Sequence, residues 1–490
     1  MDYPVMRMEE PPLLIVSNRG PMRFETLPDG SHSAKRGGGG LVTALSALTT
    51  QRPLTWVASA LSDDDAEVAA EGIYEDGNLR LSMVAHDREE YDRYYNVFAN
   101  PTLWFIHHYL WGLAMEPDVD RNIRLAWDAG YLPVNERFAE AVAAEIEDSA
   151  DDSPVVMVHD YQLFMVPGGV RERVPRARIQ HFTHIPWPMP DYWRILPDDI
   201  RRAIHESLLH CDIVGLHTER YVRAFLHCCD ELTDGEVDFA TRTVRFQGRD
   251  VQVRAYPISV DPAEFERLAA SDEVREQEES VVLARPEKMI LRVDRTDPSK
   301  NVVRGLRAYD LFLSQHPEWR GRVTMLALLD PSRPDIPEYA EYVGAIQRAV
   351  REVNDRWYMT GMWTPVDMRI SDNFPQAVAA YKHYDVLLVN AIFDGMNLVA
   401  KEAPLVNERD GVLILSENAG SHHELAPWAL SVNPFDIQAQ ADAIYQALTM
   451  HATERHERIE GLRAQVREHD IARWIDTQLE DLAALRPVKA

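Results

Sequence analysis

Cysteine is scarce in this 490-residue chain, with Cys211, Cys228 and Cys229 the only three. Their spacing matches no metal motif and builds no disulfide framework, which excludes the small stapled secreted folds and points to a reducing cytoplasm. Positive charge is short as well. Lys and Arg total 51 against 79 Asp and Glu, a formal net charge of −28. A protein that grips nucleic acid or an anionic membrane carries a basic footprint, so neither is an expected partner. Long apolar runs are missing too. No segment nears the roughly 18 apolar residues a membrane span needs. The opening MDYPVMRMEEPPLLIVSNRG has acidic residues and too brief an apolar run for a signal peptide. A water-soluble cytoplasmic protein is expected. The acidic balance still admits small anionic substrates, because a few cations can dominate one cleft.

What is present is a regular alternation. At 46% hydrophobic residues the chain can bury two sizeable cores. Short apolar runs (LLIVSN, TWVASA, VVMVHD, IQHFTHI and DIVGLH, then MILRVD, RVTMLALL, DVLLVN, GVLILSE and ALSVN) are separated by helix-length amphipathic stretches. Strands spaced in this way imply βαβ units and parallel sheets. The two series are separated by TVRFQGRDVQVRAYPISVDP, which reads as a hairpin and a proline-bounded linker. The fold class is therefore α/β, with a doubly wound Rossmann-like domain over residues 1–260 and a second over 261–455. A charged helical segment, 456–490, is expected to return to the first domain.

In such sheets ligands bind beyond the carboxyl ends of strands, and unusual clusters occupy those ends. In ILRVDRTDPSKNVVR, Arg295 closes a strand and Lys300 stands at a helix start. KRGGGGLVTAL brings glycines to a helix N-terminus, a setting for an anion or a plain flexible loop. Val42 stands where the dinucleotide fingerprint needs its third glycine, and no P-loop Gly-Lys-Ser/Thr follows. VHDYQL and FTHIPWP end strands in His and Asp or His and Pro; a lone histidine there is more often structural, but two such ends suggest a site. The aromatics of EEYDRYYNVFANPTLWFIHHYLW are mostly core by helical spacing, with Tyr95 and Trp104 as a candidate sugar-stacking face. SDDDAE contains Asp63 and Asp65, an Asp-x-Asp pair that reads as a solvated loop or helix cap in so acidic a chain. HFTH lacks a zinc site's spacing and third ligand. In VNAIFDGMNLVAKEAPLVN, Asp394, Gly395 and Asn397 are expected to open a helix, with Glu402 two turns in. Its exposed amides suit a diphosphate and Glu402 suits ribose hydroxyls; alone, the stretch also reads as an ordinary capped helix.

SNRGP, the glycine-rich loop, YYNVFANPTLW, HDYQL, HIPWP, RTDPSK and DGMNLVAKE occur in the order found in trehalose-6-phosphate synthases. The chain resembles that family over about residues 13–450. The resemblance implies GT-B architecture, with the active site in the cleft between two Rossmann-like domains. It also implies retaining transfer of glucose from a nucleoside-diphosphate glucose to glucose 6-phosphate, giving α,α-trehalose 6-phosphate. It assigns Arg295 and Lys300 to the donor diphosphate and Glu402 to the ribose. Asp394 and the following Gly395, Met396, Asn397 and Leu398 would take the glucosyl hydroxyls and diphosphate. His184 would contact the donor sugar, and Gly39 and Gly40 would close over the donor. Arg19, Tyr95, Trp104, Asp160 and Arg333 form the implied acceptor set, with the arginines on the 6-phosphate. Arg295, Lys300, His184 and Asp160 make up the implied catalytic group, with no protein nucleophile. The reading requires no metal and no cofactor, names only small-molecule substrates as partners, and leaves a homo-oligomer open.

The chain departs from the family pattern in three places. Pro298-Ser299-Lys300-Asn301 replaces the usual Tyr-Ser-Lys-Gly, Ala391-Ile392-Phe393 replaces Pro-Leu-Arg, and APLVNERDGVLILSE follows Glu402. These variants resemble the validoxylamine-phosphate synthases, which join cyclitols through nitrogen and use a GDP donor. GDP-glucose is accordingly the expected donor, with UDP-glucose open. The intact DGMNLVAKE and glycine-rich stretches favour true sugar transfer over cyclitol coupling. A catalytically silent sugar-phosphate sensor is the third reading; Arg295, Lys300 and Glu402 are all retained, which counts against it.

Overall fold

The structure, a computed structural model, describes residues 13–37, 52–147, 154–359 and 363–485. The chain forms two compact units, one made of residues up to 106, 111–256 and from 477 onward, the other of residues 107–110 and 257–476.

The first unit contains β1 (Leu13–Ser17), β2 (Met22–Thr26), β3 (His32–Arg36), β4 (Leu54–Ser59), β5 (Tyr74–Asp76) and β6 (Leu79–Val84), followed by β7 (Val155–His159), β8 (Arg178–Phe182), β9 (Ile213–Leu216), β10 (Glu236–Asp238), β11 (Thr243–Phe246) and β12 (Arg249–Ala255). Ten of them form one sheet in the order β10-β11-β12-β9-β8-β7-β1-β4-β6-β5, while β2 and β3 pair apart. From β12 to β6 every neighbouring pair is parallel, and β10–β11, β11–β12 and β5–β6 are antiparallel. The chain runs outward from β1 through β4 and β6, then crosses back to β7 and runs the other way. The winding therefore reverses between β1 and β7. Both strands are buried at every position, as expected of parallel strands covered on two faces.

The six-stranded sheet of the second unit is parallel throughout and repeats the principle. Strands β13 (Lys288–Arg295), β14 (Val323–Asp330), β15 (Val366–Ile370), β16 (Val386–Val389), β17 (Val412–Ser416) and β18 (Leu430–Val432) lie in the order β15-β14-β13-β16-β17-β18. Its winding reverses between β13 and β16, the Rossmann order. Side-chain alternation sorts the four inner strands between two cores. Leu291, Leu387 and Leu413 enter one, Ile290, Val386 and Ile414 the other. The last helix, Ile471–Ala484, belongs to the first unit from residue 477 on. There Gln180 Nε2 donates to Gln478 Oε1 at 2.7 Å, and the Tyr256 hydroxyl donates to Asp481 Oδ2 at 2.6 Å. Among the described residues no helix is long and apolar enough to cross a membrane, and all three cysteines are free and buried.

Candidate active site

Each reversal leaves a gap past the strand ends, because the two connections leave on opposite faces. Ligands of open α/β sheets sit in such gaps, and both units place their distinctive residues there.

In the second unit, Arg295 ends β13, and a tight turn, Pro298–Lys300, precedes the helix Val302–Gln315. Asp297 builds the turn. Its Oδ1 accepts from Ser299 N at 2.9 Å and Ser299 Oγ at 2.7 Å, as a cap residue does, with Pro298 in the first position, where a missing N–H costs nothing. Asn301 follows at φ 58°, the left-handed region where the family has glycine and which Asn tolerates best among the rest. Its amide donates to the carbonyls of Asn390 (2.9 Å) and Pro434 (2.8 Å), which holds that conformation.

The charges form two connected groups. Lys300 Nζ lies 2.5 Å from Asp394 Oδ2, which also accepts from Asn397 Nδ2 at 3.0 Å. Burial raises the Asp394 pKa, but the Lys300 ammonium, together with His108 and the Asn397 hydrogen bond, turns the net direction down. Arg295 and Arg333 share the fully buried Asp297, with nitrogen atoms 4.0 and 3.4 Å from its Oδ2. Burial opposes ionisation of Asp297, yet the two guanidiniums, with His108 and the Ser299 hydrogen bond, prevail and hold it at about 2. Arg333 has φ 44°, bonds the Tyr339 hydroxyl and lies over that ring at 5.1 Å from its centroid. The sequence reading divided Arg295 and Arg333 between donor and acceptor; the fold gathers both at one carboxylate. Arg19, expected beside Arg333 on the acceptor phosphate, belongs to the other unit.

The DGMNL stretch needs a correction. Asp394–Asn397 is not the start of a helix: the helix is Val399–Val406, with Leu398 as its cap, so Glu402 lies in its first turn rather than two turns in. The physical reason is Asn397, whose φ of 72° no right-handed helix accepts. Gly395 and Met396 are held instead by a second loop that the sequence reading missed. Gly420 N donates to Asp394 O at 3.0 Å and Ser421 N to Met396 O at 2.8 Å. A Cβ on Gly420 would stand 1.9 Å from the Gly395 carbonyl oxygen, so only glycine permits that approach. The available signal was a lone Gly in NAGS, just past β17. Glu402 Oε2 accepts from the Tyr381 hydroxyl at 3.0 Å. Burial raises its pKa from 4.5 to about 7, against the lowering effect of that bond.

In the first unit, Asn18 follows β1 and organises the gap. Its Oδ1 accepts from the Ser59 and Tyr94 hydroxyls, both at 3.1 Å, and its Nδ2 donates to the Tyr91 hydroxyl at 3.0 Å. The Ser17 hydroxyl fixes Arg19 through its carbonyl at 2.7 Å. The exposed Arg19 acts electrostatically on the Tyr91 phenol, whose ring stacks on Tyr95 at 5.7 Å and 11°. Arg19 and Tyr95 thus share one neighbourhood. Trp104, offered as a sugar-stacking face, is 6% exposed and packs against Tyr161 at 5.6 Å, so most of its face is already covered.

Past β7, Asp160 adopts φ 75°, with its N–H on the Phe182 carbonyl (2.8 Å) and its Oδ1 accepting from His184 N (3.1 Å). His159 Nδ1 lies 3.1 Å from His184 Nε2, and His217 Nε2 lies 3.2 Å from the His184 carbonyl. Burial pushes His159 and His181 down to about 3 and His184 well below its ordinary value. These imidazoles are neutral near pH 7. Gly39 and Gly40 lie outside the described residues. Asp65, far from being a metal ligand, closes a capping box with Ser62; its two oxygens accept from the amides of Phe24, Leu61 and Ser62.

Two α/β units, each with polar and charged side chains beyond the carboxyl ends of its central strands, make up the GT-B architecture of nucleotide-sugar transferases. The profile of glycosyltransferase family 20 matches residues 11–484. An alpha,alpha-trehalose-phosphate synthase (UDP-forming) of Botryotinia fuckeliana is 33% identical over 485 residues, covering 96% of this chain and 88% of its own. The validamine 7-phosphate valienyltransferase of Streptomyces hygroscopicus subsp. jinggangensis is 32% identical, covering 96% and 94%. In three dimensions, an alpha,alpha-trehalose-phosphate synthase (UDP-forming) from Burkholderia xenovorans, solved with glucose 6-phosphate, matches with a TM-score of 0.81. It is 29% identical, over 96% of this chain and all of its own. The chain belongs to glycosyltransferase family 20.

Proposed function

We propose that the protein transfers glucose from UDP-glucose to glucose 6-phosphate, with retention, giving α,α-trehalose 6-phosphate. The observation that carries this reading is the convergence of Arg295 and Lys300 on the gap between β13 and β16. In glycosyl transfer the bond from the anomeric carbon to the β-phosphate oxygen breaks, and its electron pair leaves with the nucleoside diphosphate. Two fixed cations meet that charge as it grows, and preorganised stabilisation of this kind is often the largest catalytic term. Lys300 waits on Asp394, so its ammonium is already in place, and Arg295, though 42% exposed, is kept near by the buried Asp297. Asp394 and the 395–398 backbone take the glucosyl hydroxyls and diphosphate, and Glu402 takes the ribose. Asp160, Tyr95 and Arg19, with Trp104 as a covered wall, receive the acceptor, and Arg333 serves its phosphate. The neutral His184 contacts the donor sugar as a hydrogen-bonding group and not as an acid. The acceptor hydroxyl forms the new bond on the face the diphosphate leaves, and its proton passes to the departing phosphate oxygen.

The sequence variants favoured GDP-glucose, an expectation the UDP-forming relatives do not support. The valienyltransferase relative motivates one competing reading, coupling to an amino-cyclitol. A donor panel of UDP-, GDP- and ADP-glucose with glucose 6-phosphate, followed by NMR of the product, separates them. UDP-glucose should give the highest kcat/KM and a non-reducing product with both anomeric centres α. A GDP preference of tenfold, equal to about 1.4 kcal/mol, would restore the GDP reading. Turnover with an amino-cyclitol acceptor alone would replace sugar transfer.

A further inference from the structure

The middle of β13 holds an arginine where a parallel strand covered on both faces calls for an apolar side chain. Arg292 is 0% exposed. Removing a guanidinium from water costs several kcal/mol, and a well-packed apolar residue would often serve stability as well or better. Its bonds show what its guanidinium donors hold, the two Nη2 hydrogens being shared among three acceptors. Nε and Nη2 both donate to Asp294 Oδ2, at 3.0 and 2.8 Å. Nη2 also donates to the Lys300 carbonyl at 2.9 Å and to Asn390 Oδ1 at 3.0 Å, and Nη1 reaches the Val302 carbonyl at 3.5 Å. One side chain therefore ties the end of β13, the turn that carries Lys300, the start of the next helix and the residue following β16. Asn390 is anchored in turn, its Nδ2 donating to Gln440 Oε1 at 2.8 Å and to the Asn301 carbonyl at 3.3 Å.

Space for the guanidinium comes from the facing helix. A Cβ on Gly305 would lie 2.4 Å from Arg292 Nη1 and 3.2 Å from Asn390 Nδ2. Arg292 and Gly305 are thus a matched pair, and neither is among the groups assigned to substrate.

We propose that Arg292 is a positioning residue for the transfer reaction: through the Lys300 carbonyl it fixes where the Lys300 ammonium meets the leaving diphosphate, and Gly305 is required for it to do so. This rests on the reading above, in which Lys300 contacts that diphosphate. The physical logic is that a lysine is a point charge on a flexible stem, so its aim depends on how firmly its own backbone is held. A misplacement of about 1 Å can cost about 10²-fold in rate.

The test uses the full chain and three variants, R292M, R292K and G305A. It measures UDP affinity by calorimetry, kcat and both KM values, and amide hydrogen exchange over residues 296–301. In folded R292M, donor kcat/KM should fall about 10²-fold, UDP binding should weaken and exchange over 298–301 should quicken, while the KM for glucose 6-phosphate stays unchanged. R292K should recover only part, because an ammonium cannot hold Asp294, Lys300 and Asn390 in one plane. G305A should reproduce the R292M pattern with the arginine still present. Wild-type donor kinetics and exchange in folded R292M would overturn the proposal, and so would an equal loss on the acceptor side. If R292M does not fold, G305A decides by the same readouts. If the wild-type protein neither binds UDP nor uses any nucleotide sugar, the functional reading fails, while the exchange result still judges whether Arg292 holds the Lys300 turn.

Discussion

Glu402→Gln should make the resting protein more stable and the enzyme worse, with a pH signature that identifies the cause. The carboxyl is displaced from 4.5 to about 7, chiefly by burial. A raised carboxylate pKa means that the native state keeps a proton which the unfolded chain releases, so stability falls as pH climbs from 4.5 through 7. The full difference, at about 1.36 kcal/mol per pH unit, is about 3 kcal/mol. Glu402 keeps some contact with solvent, which screens the charge and leaves about 1–3 kcal/mol. Glutamine cannot ionise, and its carbonyl can still accept from the Tyr381 hydroxyl. Urea unfolding at pH 8 should therefore show E402Q stabilised by about 1–3 kcal/mol, with the advantage vanishing at pH 4.5. Donor affinity should move the other way. Replacing charged hydrogen bonds to ribose hydroxyls by neutral ones should weaken UDP-glucose binding about tenfold or more. An E402Q protein no more stable than wild type at pH 8 would refute the reasoning. Equal stabilisation at both pH values would also refute it, since that would be a packing effect.

Arg295→Ala should lower kcat by about 10²–10³ and lose part of the stability that Asp297 contributes, because Arg295 is the first of the cations that offset its burial; near-normal turnover in a folded variant would remove Arg295 from the mechanism. Asp297→Asn should destabilise the protein by about 2 kcal/mol at pH 7, the difference between 3.8 and about 2 at about 1.36 kcal/mol per pH unit. The sign is opposite to that of Glu402: a depressed pKa gives stability that is complete above 3.8 and lost as pH falls through 2, so the two proteins should converge in acid, and a constant gap down to pH 2 would contradict the assignment. Activity should survive excess EDTA, because Asp65 spends both oxygens on backbone amides; loss of turnover with rescue by Mn²⁺ would contradict that.

The central strands were legible because strands covered on both faces must be apolar at successive positions, and β1, β7, β9, β16 and β17 are buried throughout. Arg295 and Lys300 could be placed for the same reason: the position of a strand end and of the next helix is local information. The strands that escaped notice are short or half-exposed, among them β2, β5, β10 and β15, with no apolar run to mark them. Chain order could not show that Arg333, 36 residues beyond Asp297, would share its carboxylate with Arg295. Nor could it show that Asn397 would turn left-handed and delay the helix, or that Gly420 would lace a second loop to the first. Arg292 sits in an ordinary strand slot, and only its contacts with Asp294, Lys300 and Asn390 give it a task. Propensity, periodicity and turn chemistry act over a few residues and are written along the chain. Which buried charge meets which partner depends on separations that only the folded sheets create, and the balance of burial against nearby cations then decides whether a carboxyl's pKa rises, as at Glu402, or falls, as at Asp297.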